Sequence, residues 1–409
     1  MQPVKYFLTK HDCEKVLHRY NRDHTLVKYT ILPFSDEVVG FLAQHLRLII
    51  ESVDSEGTQH KLSFFMKCLP HANEAQRDYV QKMNIFEKEG LSYKNLISEF
   101  LQYASESFAP KCYFYKTNEC LILEDLTSQN FQVNNFGYWT LDRAKAAIKT
   151  VARFHAASII FEEKRSSTEK PFRINEHYPV EVEERGFAFG GSEVRYKWLL
   201  NVCKCLKNFS PMYSMDKTIS KKIEDYIFSE TGFKTAIRPS KKFRNVLCHD
   251  DLWSNNVLFN DKGDCRIVDF QLTRYSHPMM DILLLLYVNV ESNVLNSNIM
   301  GLIEHYYETM TDELKLHGFQ IEKLMTKEEL FDSVEEYALP ALLESCLYGT
   351  NVFLSKEVSS YIVSSFENIE KFNLYDRWYF VEKELEENPK FKERIDNVLC
   401  PLFALVEKL

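Results

Sequence analysis

Between Asn245 and Asp281 the chain reads NVLCHDDLWSNNVLFNDKGDCRIVDFQLTRYSHPMMD. Asp251, Asn256 and Asp269 stand 5 and 13 residues apart in it. Two apolar runs, Val257–Phe259 and Cys265–Val268, flank the turn Asn260–Asp264. A hairpin built from them would hold all three polar groups at one edge, around one cation. Carboxylate and amide oxygens suit magnesium, which keeps its waters and binds substrate phosphates rather than a full protein cage. One carboxylate facing an acceptor hydroxyl, with an amide and a second carboxylate holding metal on phosphates, is what phosphoryl transfer from a magnesium nucleotide requires. Each residue alone would be an ordinary turn former, so the signal lies in the combination. His249 is read as a hydrogen-bonding brace of this loop rather than as a base. No Cys/His spacing here suggests zinc.

Such a site needs a second wall that reaches the phosphates. Lys67 closes the β-like run LSFFMKCLP, and Glu89 lies on the helical pattern that follows. Taken alone, Lys67 reads as an exposed strand-end lysine and Glu89 as a solvated helix charge; a buried lysine would need an anion, and strand-Lys followed by helix-Glu is the order a nucleotide lobe uses. Around this pair the pattern is a capped helix at 9–20, with Thr9 or Asp12 as the cap, then extended runs at 26–32, 41–50 and 61–68. The turn 54–57 joins the last two runs into an antiparallel meander. A helix is expected over 73–88, continuing toward Tyr93, and a hairpin over 112–115 and 120–123. From about 124–127 the pattern becomes helical, beginning with the Ala-rich stretch 141–160. This places a boundary there, with residues 1–125 as a small, mainly β N-lobe and 126–409 as a larger helical C-lobe. Residues 161–190 read as a charged surface loop. Helices are expected at 192–208, 217–231, 280–290, 297–317, 327–351, 359–372 and 375–387, the last stopped by Asn388 and Pro389.

The bulk numbers agree with a folded catalytic protein. The 409 residues exceed one ordinary core, and 45% hydrophobic with 27% charged residues is a globular composition. A net charge of −9 argues against a nucleic-acid partner. The apolar run 282–288 is too short to span a membrane, and the N-terminus lacks the pattern of a cleaved leader. Ten scattered cysteines without a secretion signal suit a reduced, cytoplasmic protein in which most are small buried hydrophobes. A monomer with no membrane partner is expected.

HDDLWSNNVLF, then IVDFQLTRY and Asp281, resembles the ecdysteroid-kinase-like (CHK-kinase-like) family of insects, within the protein-kinase-like superfamily. The resemblance extends to VVGFLAQHLRLII, FFMKCLP, FEKEGLSY, LILEDL and VARFHAAS. It implies an α+β, two-lobed protein-kinase-like fold. It also implies an ATP- and magnesium-dependent kinase acting on a hydroxyl of a small apolar molecule, such as an ecdysteroid or a xenobiotic alcohol. By position, Asp251 resembles the catalytic carboxylate, and Asn256 and Asp269 the magnesium ligands. Lys67 resembles the phosphate lysine and Glu89 its ion-pair partner. Glu124 and Leu126 resemble the hinge residues whose backbone pairs with adenine, and Asp281 the acid that braces the catalytic loop. Acceptor contacts are expected within 186–200 and 339–352. Two departures stand out. Asp250 occupies the position where the family usually has glycine, so it could strain the loop or raise the pKa of Asp251 by like-charge repulsion. The phosphate-covering loop around 35–43 contains only Gly40. Both admit a second expectation, a pseudokinase that binds nucleotide or an apolar ligand as sensor or carrier.

Overall fold

Period-two burial builds the first lobe. In the computed structural model, which describes residues 8–34, 43–70, 77, 80–81, 84–133, 137–187 and 192–409, helix α1 (Lys10–Tyr20) starts in a capping box between Thr9 and Asp12. Strands β1 (Thr25–Pro33), β2 (Gln44–Val53), β3 (Gln59–Cys68), β4 (Cys112–Lys116) and β5 (Cys120–Glu124) follow. They form one antiparallel sheet in the order β1-β2-β3-β5-β4. Leu46, Leu48, Ile50, Phe64, Met66 and Ile122 turn to one face, where Cys13, Val16 and Leu17 of α1 cover them. Lys67 lies between Met66 and Cys68, paired with Leu121 across the ladder. Alternation therefore sends its side chain to the opposite face, where Phe65, Leu121 and Leu123 join the main core. The expected phosphate-covering loop falls at 35–42, outside the described residues.

Helix α2 (Ile85–Ser92) crosses that second face. The helix expected over 73–88 does not run through: Asn84 takes a left-handed conformation (φ 52°), which asparagine tolerates better than most residues, and α2 starts after it. A π-helical turn, Tyr93–Ile97, extends α2. Phe100 packs edge-on against Phe161, so the end of this segment belongs to the core of the helical lobe.

That lobe is assembled on α3 (Leu141–Arg165), α4 (Glu193–Tyr213), α5 (Ile219–Phe228), α6 (Met279–Asn289), α7 (Ser292–Leu316), α8 (Lys327–Val352), α9 (Trp378–Glu387) and α10 (Pro389–Val406). Helix α6 is buried and mostly apolar, as expected of a central helix, with Asp281 and Asn289 as its buried polar residues. Two small sheets sit against α3: β6 (Gln132–Val133) pairs with β8 (Val257–Phe259), which pairs with β9 (Cys265–Ile267), while β7 (Val246–Cys248) pairs with β10 (Arg274–Ser276). The whole is an α+β fold, a five-stranded antiparallel sheet with its covering helix joined to a mainly helical lobe.

Several expectations are corrected. Helix α3 runs five residues beyond 160, and residues 174–177 form a short helix, so 161–190 is not all loop. The helix expected over 359–372 is broken into Lys356–Val363, Phe366–Glu370 and a π turn at Lys371–Tyr375. Asn388 and Pro389 do end one helix, but they also begin α10, with Asn388 capping and Pro389 at its first position. All ten cysteines are unpaired and seven are buried. Among the described residues no helix is long and apolar enough to cross a membrane.

Candidate active site

The turn between β8 and β9 closes on Asn260, with Gly263 in a positive-φ conformation (84°). This brings the two ends of the hairpin together. The backbone carbonyl of Asn256 accepts from Val268 N–H at 3.0 Å, so Asn256 and the residue before Asp269 are fastened side by side. The Asn256 amide nitrogen donates to Asp251 twice, to its backbone carbonyl (2.8 Å) and to its carboxylate (2.7 Å). Asp251 is thus oriented by the residue five positions on.

His249 is buried and neutral. Its Nε2 donates to Val268 O at 2.9 Å and its Nδ1 accepts from Asp251 N–H at 3.3 Å. Burial depresses its pKa, consistent with this assignment. Both nitrogens serve the loop backbone, which favours a bracing role over a base. Asp281, on α6, accepts from the backbone N–H groups of His249 (2.6 Å) and Asp250 (2.7 Å). It also accepts from His155 Nε2 at 3.0 Å, whose Nδ1 in turn takes the Tyr306 hydroxyl at 2.9 Å. Burial works against ionised Asp281, but these donors hold its pKa below the usual carboxylate value.

On the opposite wall Lys67 is buried, 2.7 Å from both Glu89 and Asp269. Burial alone would depress the ammonium, but Asp269 and Glu89 outweigh it and raise its pKa. Burial pushes Glu89 upward and Lys67 opposes it. Glu89 can reach Lys67 because α2 lies close to the sheet at Gly90, where a Cβ would come within 2.0 Å of the Tyr115 ring. Asp251 is held up to about 8 by burial first and by Asp269 second. Glu89 and Asp269 therefore hold one ammonium between them with Asp251 on the adjoining loop, and a divalent cation would offset the negative charge that Asp269 sets against Asp251. With its nitrogen committed to Asp251, Asn256 has its amide oxygen to offer such an ion, and Asp269 has carboxylate oxygen. The donor set fits magnesium.

Residues 38–319, about two-thirds of the chain, match the model of the ecdysteroid kinase-like family. The chain belongs to the ecdysteroid kinase-like family. No curated protein matches it. Among solved structures it is similar to a Plasmodium vivax ethanolamine kinase, with 14% identity, 93% of this chain and 83% of that one covered, and a TM-score of 0.40. It is also similar to a spectinomycin phosphotransferase in complex with ADP and spectinomycin (12%, 96% and 99%, 0.40) and to a choline kinase from Streptococcus pneumoniae (9%, 96% and 99%, 0.40).

In this member of the ecdysteroid kinase-like family, Asp250 takes the left-handed conformation (φ 62°) that explains a preference for glycine there. Its carboxylate is buried and turned to Arg274 (2.6 Å), which also holds Glu344 of α8 (2.8 Å). Among the influences on Asp251, Asp250 ranks below burial and Asp269. The expected repulsion is therefore a minor part of the Asp251 shift, because Arg274 sits against the Asp250 charge.

Glu124 ends β5, and its carboxylate accepts from Lys111 N–H (3.2 Å) and the Gln129 amide (2.7 Å). Leu126 is buried at the first position of a 3-10 turn capped by Asp125. The two segments expected to contact the acceptor meet: Phe187 lies 5.5 Å from Tyr348 and 6.2 Å from Trp198, ring to ring. Arg274 sits 5.4 Å over Phe187, which joins this aromatic group to Asp250, the neighbour of Asp251. Residues 188–191 of the first segment lie outside the described residues.

Sequence reasoning missed Arg274, Glu344, His155 and Lys88. Arg274 lies just beyond the Asp-Phe-Gln motif and His155 within VARFHAAS, so both stood in recognisable stretches. Nothing local marks Glu344, 70 residues from its partner.

Proposed function

We propose that the protein is an ATP- and magnesium-dependent kinase that phosphorylates a hydroxyl of a small apolar molecule, such as an ecdysteroid or a xenobiotic alcohol. Family membership supports small-molecule kinase activity. The observation that carries the reading is Lys67 held between Glu89 and Asp269, with Asp251 oriented by Asn256 on the adjoining loop.

Asp251 accepts the hydrogen of the acceptor hydroxyl and aims its oxygen along the line of attack on the γ-phosphate. Its raised pKa suits a group that must take a proton near neutral pH. Lys67 faces the nucleotide phosphates and, with Glu89 behind it, offsets the charge that develops as the bond to the leaving oxygen breaks. Asn256 and Asp269 would hold magnesium, which supplies neutralisation of phosphate charge when bound. Leu126 N–H and Glu124 C=O pair with adenine at the hinge; a first-turn N–H has no acceptor within its own helix. His249 and Asp281 keep the loop in shape and do no chemistry. Residues 1–125 and 126–409 form the two lobes. The aromatic group Phe187, Trp198 and Tyr348 supplies an apolar wall for the acceptor body. We place the protein in the cytoplasm, as a monomer.

The test is incubation with labelled ATP, magnesium and a panel of ecdysteroids and plant or xenobiotic alcohols, read by the mass of an added phosphate. Asp251→Asn and Asp269→Asn each abolish transfer while melting close to wild type. Unchanged turnover in either variant refutes the assignment. Magnesium-dependent ATP binding with no phosphorylation across the panel would favour the nucleotide-binding sensor or carrier instead.

A further inference from the structure

The residue before Glu89 has no part in the chemistry above, yet it is fully buried. Lys88 sends its ammonium away from the nucleotide wall and into the helical lobe. There it donates to the backbone carbonyls of Thr273 (2.6 Å) and Glu183 (2.8 Å), 185 and 95 residues distant. Thr273 lies four residues beyond Asp269, and its hydroxyl donates to Glu181 O at 2.8 Å. One turn along the same side, Ser92 lies 3.3 Å from the Thr273 hydroxyl, and Asn95 donates to the Glu181 carboxylate at 2.6 Å. Tyr93 packs edge-on against Phe270. Burial draws the Lys88 pKa down to about 7, with Arg274 and Arg185 adding to it against Asp250 and Glu184. A lysine kept at such a cost by two carbonyls, with no carboxylate hydrogen-bonded to it among the described residues, is there for what it joins.

We propose that Lys88 is a positioning residue that bolts helix α2 to residues 181–183 and 270–273, so that Glu89, the segment after Asp269 and the acceptor-side stretch ending at Phe187 move as one piece. The proposal rests on the kinase reading for its effect on turnover, but the clamp itself is a statement about geometry. Its consequence is that the Lys67–Glu89 pair is kept closed from the acceptor side and needs no separate activating event. Lys88 acts through Glu89, and Glu89 through Lys67.

Two measurements on the full chain test it. With ATP, magnesium and an acceptor found in the panel, Lys88→Met lowers kcat by roughly tenfold, the equivalent of ~1.4 kcal/mol, while KM for ATP changes by less than about threefold. In a Glu89→Gln background the same substitution adds less than about twofold, because both act on one contact. Full multiplicative loss in the double variant overturns the proposal, since a merely structural lysine would act independently of Glu89. Amide hydrogen exchange supplies a readout that does not depend on turnover. Lys88→Met speeds exchange in 85–92 and in 181–183 together and leaves 141–165 unchanged; unchanged exchange in both segments overturns the clamp even if the protein proves not to be a kinase. Should that variant not fold, magnesium-ATP added to wild type protects 181–183 along with 85–92, and protection confined to 85–92 overturns the coupling. A wild-type protein that neither binds nor consumes ATP defeats the kinase reading alone, and the exchange comparison then decides the clamp.

Discussion

Removing Arg274 tests how this chain tolerates an acid inside the loop that carries Asp251. Arg274 is 3% exposed, and its guanidinium lies between two buried carboxylates, Asp250 and Glu344. Arg274→Met keeps much of the volume and leaves both carboxylates without their cation, which costs about 3–5 kcal/mol for a broken buried pair. Unfolding entropy scales to roughly 0.9 kcal/mol per degree for a chain of this length, so the melting temperature falls by ~3–6 °C. Asp250→Gly behaves differently. It gives up one charged hydrogen bond, worth ~1.5–3 kcal/mol, but relieves a left-handed residue of up to about 1–2 kcal/mol, and Arg274 retains Glu344. The net change is within about 2 kcal/mol of zero. In the double variant only Glu344 is left uncompensated, so adding Asp250→Gly to Arg274→Met recovers ~1–2 kcal/mol instead of losing more. Thermal unfolding followed by circular dichroism, with magnesium-ATP binding as a check on the site, measures all three. A melting temperature for Arg274→Met within about one degree of wild type, or strict additivity in the double variant, would refute the view that Arg274 compensates Asp250.

Three further outcomes follow from the same geometry. Asp281→Asn sets an amide N–H2 against loop N–H donors, so it costs ~2–3 kcal/mol and abolishes transfer, measured by denaturant unfolding and the kinase assay; wild-type values for both refute its bracing role. Gly90→Ala drives a methyl group into the Tyr115 ring, lowering stability by about 1–3 kcal/mol and turnover with it. Tyr115→Leu in the same chain makes room, and turnover that stays low in that double variant would show that the clash is not what displaces Glu89. His277 is buried, stacked 4.5 Å from Tyr337, and burial brings its pKa down to about 3. The unfolded chain takes up this proton near pH 6.5 and the folded one does not, so stability is intact above pH 6.5 and declines as pH falls toward 3. At pH 4.5 the loss is about 2–3 kcal/mol, and His277→Asn, which keeps an acceptor for Met279 N–H, should flatten the decline; an identical pH curve would refute it.

Much of the site stands in the chain order itself. Lys67 and Glu89 are separated by a strand end and a helix, and Asp251, Asn256 and Asp269 by one hairpin, so local pattern predicts which residues could meet. Helix boundaries were less legible where one side chain decides them. Asn84 interrupts a continuous helical pattern through its own backbone conformation. Pro389 is both a stop for α9 and a good first residue for α10, and only the second role reveals the last helix. The partners of Lys88 leave no trace in sequence, because any residue offers a carbonyl oxygen. Glu344 and Arg274 are joined only by the tertiary packing of α8 against the loop.

The string from Tyr306 through His155 to Asp281 also bears on the order in which the molecule is assembled. Its members come from α7, α3 and α6, and its last oxygen atoms hold the two amides beside Asp251. Beyond its local ties from Asn256 and His249, the loop is thus fixed only when three helices, contributed by segments 126 and 151 residues apart, have docked on one another. During refolding from denaturant, the β2–β3 and β4–β5 hairpins can form early from near neighbours in the chain, whereas the pairing of Lys67 with Leu121 and, on the kinase reading proposed above, the binding of magnesium-ATP await longer-range packing.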